Sequence, residues 1–248
     1  METTERLTRK QRRVARQQGV DPNEHSVKLT YRLKYIEPMT KNQQLAFQSY
    51  ESGKNLMLHG IAGTGKSFIS CYMGLREILD GSDRYKKLII VRSVVPTRDM
   101  GFLPGSSKEK TKVYEAPYQS IFTELFGRGD AYEYLKQKNF VEFISTSFIR
   151  GTTLNDCIVV VDEIANLTIH ELDSVITRAG KNCKMVFCGD FRQSDFTRYE
   201  DRAGLKDFMK IINKMKSFSF VEFDENDIVR SNMVKEYIIA KDRLGIVA

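Results

Sequence analysis

Six short apolar runs recur along the chain, each bounded by polar residues, glycine or proline. They are Asn55–His59, Lys87–Arg92, Phe140–Ile144, Cys157–Asp162, Lys184–Cys188 and Phe218–Phe223. Their length and content of β-branched and aromatic residues predict buried strands. Between them the apolar period changes. Ile69, Tyr72, Met73, Leu75, Ile78 and Leu79 fall at helical spacing and predict a helix over 67–79. Similar patterns predict helices over 117–126, 169–179, 202–215 and 233–243. Strands that are apolar throughout, rather than alternately, are buried on both faces. Their alternation with helices predicts an α/β chain, a parallel sheet with helices on both faces. Ligands of such sheets sit at the carboxyl ends of the strands.

Two stretches fall outside this rhythm. The first twenty residues have too few apolar positions to bury a face, and residues 1–36 read as a basic N-terminal extension; residues 37–248 read as one domain. Residues 93–129 carry Pro96, Gly101, Pro104, Gly105, Pro117, Gly127 and Gly129, with Lys108, Lys110 and Lys112 at alternate positions. This predicts a long loop with an inserted helix. Loops of that length in a compact domain are usually functional or mobile, and a solvated insertion is the alternative; a basic loop at the carboxyl edge of the sheet favours function.

Composition narrows the reading. The 248 residues are 41% hydrophobic, enough for one substantial core. Four cysteines, Cys71, Cys157, Cys183 and Cys188, lack the C-x-x-C spacing of a zinc or redox site and read as reduced thiols. No apolar run approaches the ~18 residues of a membrane span. A soluble, intracellular protein without a membrane partner is expected. Net charge is +7, and Arg6, Arg9, Lys10, Arg12, Arg13 and Arg16 concentrate it near the start. Such an arm suits nucleic acid or a solvated tail equally.

The chemistry gathers where the strands end. Gly60-Ile61-Ala62-Gly63-Thr64-Gly65-Lys66-Ser67 has the G-x-x-x-x-G-K-S spacing of a phosphate-binding loop between a strand and a helix. Backbone N–H groups of Gly60, Ala62, Gly63, Thr64, Gly65, Lys66 and Ser67 would cradle phosphate. Lys66 would reach the β- and γ-phosphates, and the Ser67 hydroxyl would meet Mg²⁺. Cys157–Val161 then delivers Asp162 and Glu163, the pattern of a Walker B strand. Asp162 would hold Mg²⁺ and Glu163 would activate water as general base. Gly189-Asp190 with Gln193 follows a further strand; Gln193 would touch the γ-phosphate or the water, and Asp190 would brace the loop. Gln43 offers an amide donor and acceptor that suit the edge of adenine, which favours ATP.

Together these residues resemble the PhoH-like family of P-loop ATPases. The likeness runs from about Met39 to Arg243. It is carried by Asn42-Gln43, Gly60–Ser67, Arg92, Gly101-Phe102-Leu103-Pro104-Gly105, Arg150-Gly151 with Thr153-Leu154-Asn155-Asp156, Asp162-Glu163, Thr177-Arg178 with Gly180, Gly189-Asp190 with Gln193, and Asp227-Ile228-Val229-Arg230. The resemblance implies a three-layer P-loop NTPase with a RecA-like core related to superfamily 1 helicases. It implies ATP and Mg²⁺ as ligands, ATP hydrolysis, and for some members RNA-directed unwinding. Small stand-alone members occur in bacteria and phages, so a cytoplasmic location is expected, the host's if the chain is phage-encoded. No nuclease-like domain precedes the core, so a fused ribonuclease activity is not expected. Two positions depart from the family pattern: Ala165 replaces a frequent glutamine and Ser231 a frequent histidine. Both bear on coupling to nucleic acid.

One core of this kind supplies half of a cationic clamp. An arginine finger would then come from a neighbouring subunit, with Arg178 and Arg230 as candidates. This implies a homo-oligomer, a hexameric ring or another head-to-tail assembly. For RNA or single-stranded DNA, Arg92, Arg98, Lys108, Lys110, Lys112 and Arg150 are the candidate phosphate contacts. Phe102 would stack a base or join the core. Two other functions remain open: an ATP-dependent switch that recruits a protein partner without helicase activity, and a small-molecule kinase. Glu163 and Gln193 weigh against the kinase, which has no need to position water.

Overall fold

The computed structural model describes residues 32–81, 84–94, 107–190 and 199–246, with backbone alone at 107–111 and 199–203. The chain divides into Met1–Arg32, of which only Arg32 is described, and Leu33–Ala248, to which the following refers. The basic arm, Arg98, the Gly101–Gly105 string and Gln193 lie outside the described residues.

Six parallel strands form one sheet: β1 (Asn55–Gly60), β2 (Lys87–Arg92), β3 (Val141–Ser145), β4 (Cys157–Val161), β5 (Cys183–Gly189) and β6 (Phe218–Phe223). Their order across the sheet is β3-β2-β4-β5-β1-β6. All six predicted runs are strands, shifted by no more than a residue or two at their ends. The central strands are buried on both faces: all five residues of β4 and the last five of β1 are buried. Edge strand β6 alternates at its end, with Val221 and Phe223 buried and Glu222 exposed.

Helices α1 (Lys41–Glu51), α2 (Lys66–Leu79), α3 (Ser107–Phe126), α4 (Ala131–Gln137), α5 (Ile169–Ile176), α6 (Tyr199–Lys214) and α7 (Asn232–Arg243) complete the layers. The predicted helix over 117–126 is the second half of α3, which runs through Pro117. Helices α1 and α4 escaped the apolar pattern. In α1 the buried set, Gln43, Ala46, Phe47 and Tyr50, includes a polar member. Helix α4 has seven residues, too few for a period to emerge. Helix α7 has no buried residue at all.

Neighbouring strand residues point to opposite faces. Ile89, Val159 and Phe187 therefore share a face and pack with Leu172 and Val175 of α5 and Leu205, Phe208 and Ile212 of α6. Helix α2 covers the other face; its Gly74 lies against Leu88 and Ile158. Registers Leu58↔Cys188 and Val91↔Val161 align the carboxyl ends of β1, β5, β2 and β4 at one edge. That alignment sets the P-loop and the acidic pair on the same side of the sheet.

The ring of Phe208, 1% exposed, meets Phe187 edge-on at 5.3 Å between centroids. Replacing a buried phenylalanine by alanine leaves a cavity, so Phe208→Ala is expected to lower stability by about 3–5 kcal/mol. Denaturant unfolding monitored by circular dichroism measures this directly.

Candidate functional site

Residues 61–65 join β1 to α2 as a loop with left-handed glycines, Gly63 at φ 78° and Gly65 at φ 80°. Gly60 has no room for a side chain: an added Cβ would lie 2.0 Å from the Phe223 carbonyl oxygen. Gly65 is the N-cap of α2, so the loop amides and the positive end of the helix face the same point. The loop's own bonds tie it together. Thr64 Oγ1 donates to the Ile61 carbonyl at 3.1 Å. Lys66 is nearly buried, and its Nζ donates to the Gly60 and Ile61 carbonyls at 2.8 and 2.7 Å. Burial pulls the Lys66 ammonium below its ordinary range, against the pull of Asp190, Cys188, Asp162 and Glu163.

The Walker B strand meets this loop through one hydrogen bond. Ser67 Oγ donates to Asp162 Oδ1 at 2.7 Å. The Asp162 backbone N–H donates to the Val91 carbonyl at 2.9 Å, which fixes the carboxylate's base. Its other oxygen, Oδ2, accepts from the Tyr118 hydroxyl at 2.8 Å. Tyr118 comes from α3 and is fully buried. Burial, then the Asp162 charge, push the Tyr118 hydroxyl well above its usual range, so it stays a donor. Glu163 adopts a left-handed φ of 53°, uncommon for a side chain with a Cβ. Arg92 Nη2 lies 4.0 Å from Glu163 Oε1. Gly189 makes space for this turn: a Cβ there would sit 2.6 Å from Ile164 Cγ1.

The donor set fits Mg²⁺. Ser67 and Asp162 offer hard oxygens, and Mg²⁺ is usually held by one or two carboxylates plus substrate phosphates rather than a protein cage. No cluster of three or more His, Cys, Asp or Glu suited to a metal occurs among the described residues. Ser67 and Asp162 would hold the ion; Lys66 and the loop amides would hold the phosphates.

The family strings pair in space. Asn42 Nδ2 donates to Asp227 Oδ2 at 2.7 Å, across 185 residues of sequence. Gln43 Nε2 donates to the Thr64 carbonyl at 3.0 Å, and Gln43 Oε1 accepts from the Met39 N–H at 2.8 Å. The amide expected at adenine is thus engaged by the P-loop and the segment before α1. The Val229 N–H donates to the Gly63 carbonyl at 3.0 Å. Helix α1, the P-loop and residues 227–230 form one bracket. Leu154 and Asn155 similarly hold residues 178–181: Leu154 N–H donates to the Arg178 carbonyl at 2.9 Å and Lys181 N–H to Asn155 Oδ1 at 2.8 Å.

The two candidate finger arginines sit in different places. Arg230 is exposed beside the P-loop of its own chain; its Cγ is 3.1 Å from where a Gly63 Cβ would be. Arg178 follows α5, where Leu154 pairs with Ala179 just before β4 and β5 begin. That is the amino edge of the sheet, roughly 16 Å, a five-residue strand, from the edge that bears the P-loop. The Arg178 Nε is buried with no hydrogen-bond partner among the described residues. Arg178 shares a surface cleft with Arg150, His170, Asp173, Ser174 and Thr177.

Of the basic candidates, Arg92 is half-buried and turned toward Glu163, while Lys112 and Arg150 are exposed. Lys108 and Lys110 lie on the backbone of α3, without described side chains. Asp190 is buried near the Lys66 ammonium. Tyr118 was not among the sequence candidates. The apolar set Tyr118, Phe122, Leu125 and Phe126 marks it as core, and nothing in that pattern distinguishes its hydroxyl. Glu171 was also missed: it accepts from Thr146 Oγ1 at 2.6 Å and caps α5 with Thr168. The capping-box spacing Thr168–Glu171 was the available signal.

A parallel sheet, a glycine-rich phosphate loop and a carboxylate on the loop serine define a P-loop nucleotide-binding protein. A model of the PhoH-like protein family matches residues 35–241, and the chain belongs to that family. The PhoH-like protein of Bacillus subtilis (strain 168) is 31% identical over 193 residues, covering 77% of this chain and 59% of that protein. Protein PhoH of Escherichia coli (strain K12) is 27% identical over 195 residues, covering 78% and 54%. The chain thus matches little more than half the length of these relatives. Among solved structures, the large terminase of a thermophilic bacteriophage aligns at a TM-score of 0.47 and 12% identity, over 81% of this chain and 50% of that one. The Pif1 helicase of Candida albicans aligns at 0.39 and 17%, over 85% and 44%. At these identities the likeness concerns the fold alone. No helix among the described residues is long and apolar enough to cross a membrane.

Because Gly60 abuts the Phe223 carbonyl, Gly60→Ala must displace β6 or the loop. A loss of at least about 1–3 kcal/mol is expected, as for other overpacked sites. Binding of a fluorescent ADP analogue to Gly60→Ala, measured beside its unfolding curve, should be abolished.

Proposed function

We propose that the protein binds ATP with Mg²⁺ at Gly60–Ser67 and hydrolyses it in the cytoplasm. We further propose that, as an oligomer, it couples this turnover to RNA or single-stranded nucleic acid. The observation that carries the reading is the Ser67–Asp162 hydrogen bond of 2.7 Å, followed in sequence by Glu163. It joins the phosphate loop to the carboxylate of a magnesium site. Glu163 then stands one residue on, at the end of the same strand, as the general base. Phosphoryl transfer is mostly positioning and charge stabilisation, so cations around the γ-phosphate matter most. Lys66 supplies one. Arg230 lies beside the loop in its own chain and serves there in cis. Arg178, at the opposite edge of the sheet, serves a neighbour's site in a head-to-tail assembly. Gln193 senses the γ-phosphate from the loop after β5. Nucleic acid is drawn by Arg98, Lys108, Lys110, Lys112 and Arg150, with Arg92 acting nearer Glu163. Gln43 braces the loop and reports on adenine through it.

A second reading has its own observation. Helix α7 has no fully buried residue and exposes Met233 and Tyr237 at 75 and 67%, with Leu244 just past its end at 72%. Its Ile238 lies beside Gly63 of the P-loop. A nucleotide-dependent switch that recruits a protein through α7 fits that arrangement. RNA stimulation of phosphate release separates the two: stimulation supports the motor, and its absence supports the switch.

Glu163→Gln should lower turnover by at least about 10²-fold while ATP binding persists, as expected for loss of a general base. Lys66→Ala should lose binding and turnover together. If Glu163→Gln keeps normal phosphate release, another group is the base. Specific activity should also rise with protein concentration, because a finger in trans is worth about 10³–10⁵ in rate. Full turnover by a monomer at nanomolar concentration rules the finger out.

A further inference from the structure

We infer that Tyr118 is a positioning residue for the metal site, and that it makes the geometry of Asp162 depend on helix α3. The inference rests on the Mg²⁺-nucleotide reading above. In the structure Asp162 is held by both oxygens, Oδ1 by Ser67 at 2.7 Å and Oδ2 by Tyr118 at 2.8 Å. These two donors have different fates when a metal binds. Ser67 would offer a lone pair of its hydroxyl oxygen to the ion, so its position would answer to the metal as well as to Asp162. Tyr118 has no such second task, and remains the described side-chain donor that fixes the carboxylate plane. Partners that orient a metal-ligating carboxylate are worth 10–100-fold in metal affinity.

Tyr118 is well held. It is fully buried, and its ring packs 5.9 Å from that of Phe143 on edge strand β3. One turn earlier, Glu115 accepts from the Tyr132 hydroxyl at 2.7 Å and pairs with Lys136, which fastens α3 to α4. Pro117, just before Tyr118, has no N–H for the helix, which nonetheless continues through it. Before Pro117 the helix carries Lys108, Lys110 and Lys112; after it lie Tyr118 and the core residues Phe122 and Leu125. The carboxylate at the metal site is therefore tied to the same helix that bears the basic row.

The test is Tyr118→Phe, which keeps the ring and removes the donor. Mn²⁺ stands in for Mg²⁺, and its binding in the presence of ADP is read by electron paramagnetic resonance. ADP binding in EDTA is read separately. Tyr118→Phe should weaken Mn²⁺ about 10–100-fold, leave ADP binding in EDTA unchanged, and still melt cooperatively. Phe143→Leu, which loosens the same ring but keeps the hydroxyl, should leave Mn²⁺ affinity within about threefold, a small fraction of the effect of losing a metal-orienting partner. Mn²⁺ affinity of Tyr118→Phe equal to the parent's overturns the inference. So does an equal loss in Phe143→Leu, or a Tyr118→Phe chain that no longer melts cooperatively, since each assigns Tyr118 to packing alone. A parent protein that binds no Mn²⁺ with ADP overturns the metal reading itself and this inference with it. A parent that binds while Tyr118→Phe binds equally well leaves the metal reading standing.

Discussion

One hydrogen bond, Ser67 to Asp162, joins the two halves of the candidate site, and the rest of the architecture serves to make it possible. Its partners lie 95 residues apart and follow strands that do not touch, since β5 runs between β1 and β4. Only a parallel sheet in register brings the ends of all three strands to one edge. Continuous burial of β1, β4 and β5 holds that register, because a slip would expose apolar residues or bury polar ones. The 2.7 Å contact is thus the output of the whole hydrophobic core.

Around that bond the chain arranges brackets rather than isolated catalytic groups. Asn42–Asp227, Gln43–Thr64 and Val229–Gly63 clamp the P-loop from two sides. Tyr118 and Val91 hold Asp162, and Arg92 lies near Glu163. Most of these contacts are buried or half-buried, where an unmade hydrogen bond is costly and a made one rigidifies. Preorganisation of this kind suits phosphoryl transfer, in which the protein contributes fixed charges and dipoles rather than covalent steps.

The same frame separates residues that look alike in the chain. Arg178 and Arg230 both lie in family strings, yet one stands at the amino edge of the sheet and the other against Gly63. Arg92 has the same charge as Arg150, but its half-buried guanidinium turns to Glu163 while Arg150 is exposed. Local sequence carries charge and not direction. Direction comes from which end of a strand or helix a residue occupies, and that is settled by packing.

The apolar runs by themselves determined the strands, because a strand buried on both faces must be apolar throughout. The glycine spacing determined the P-loop, because few other residues allow φ near +80° at Gly63 and Gly65 or a carbonyl 2.0 Å from where a Cβ would be at Gly60. The acidic pair was legible for a similar reason, since it ends a buried strand. Helix α1 carried a readable period in Gln43, Ala46, Phe47 and Tyr50, hidden by its polar first member. Only the tertiary structure decided the roles of Tyr118, Asn42 and Asp227. Their hydroxyl, amide and carboxylate acquire partners 44 and 185 residues away, and no local pattern records a contact made across a sheet.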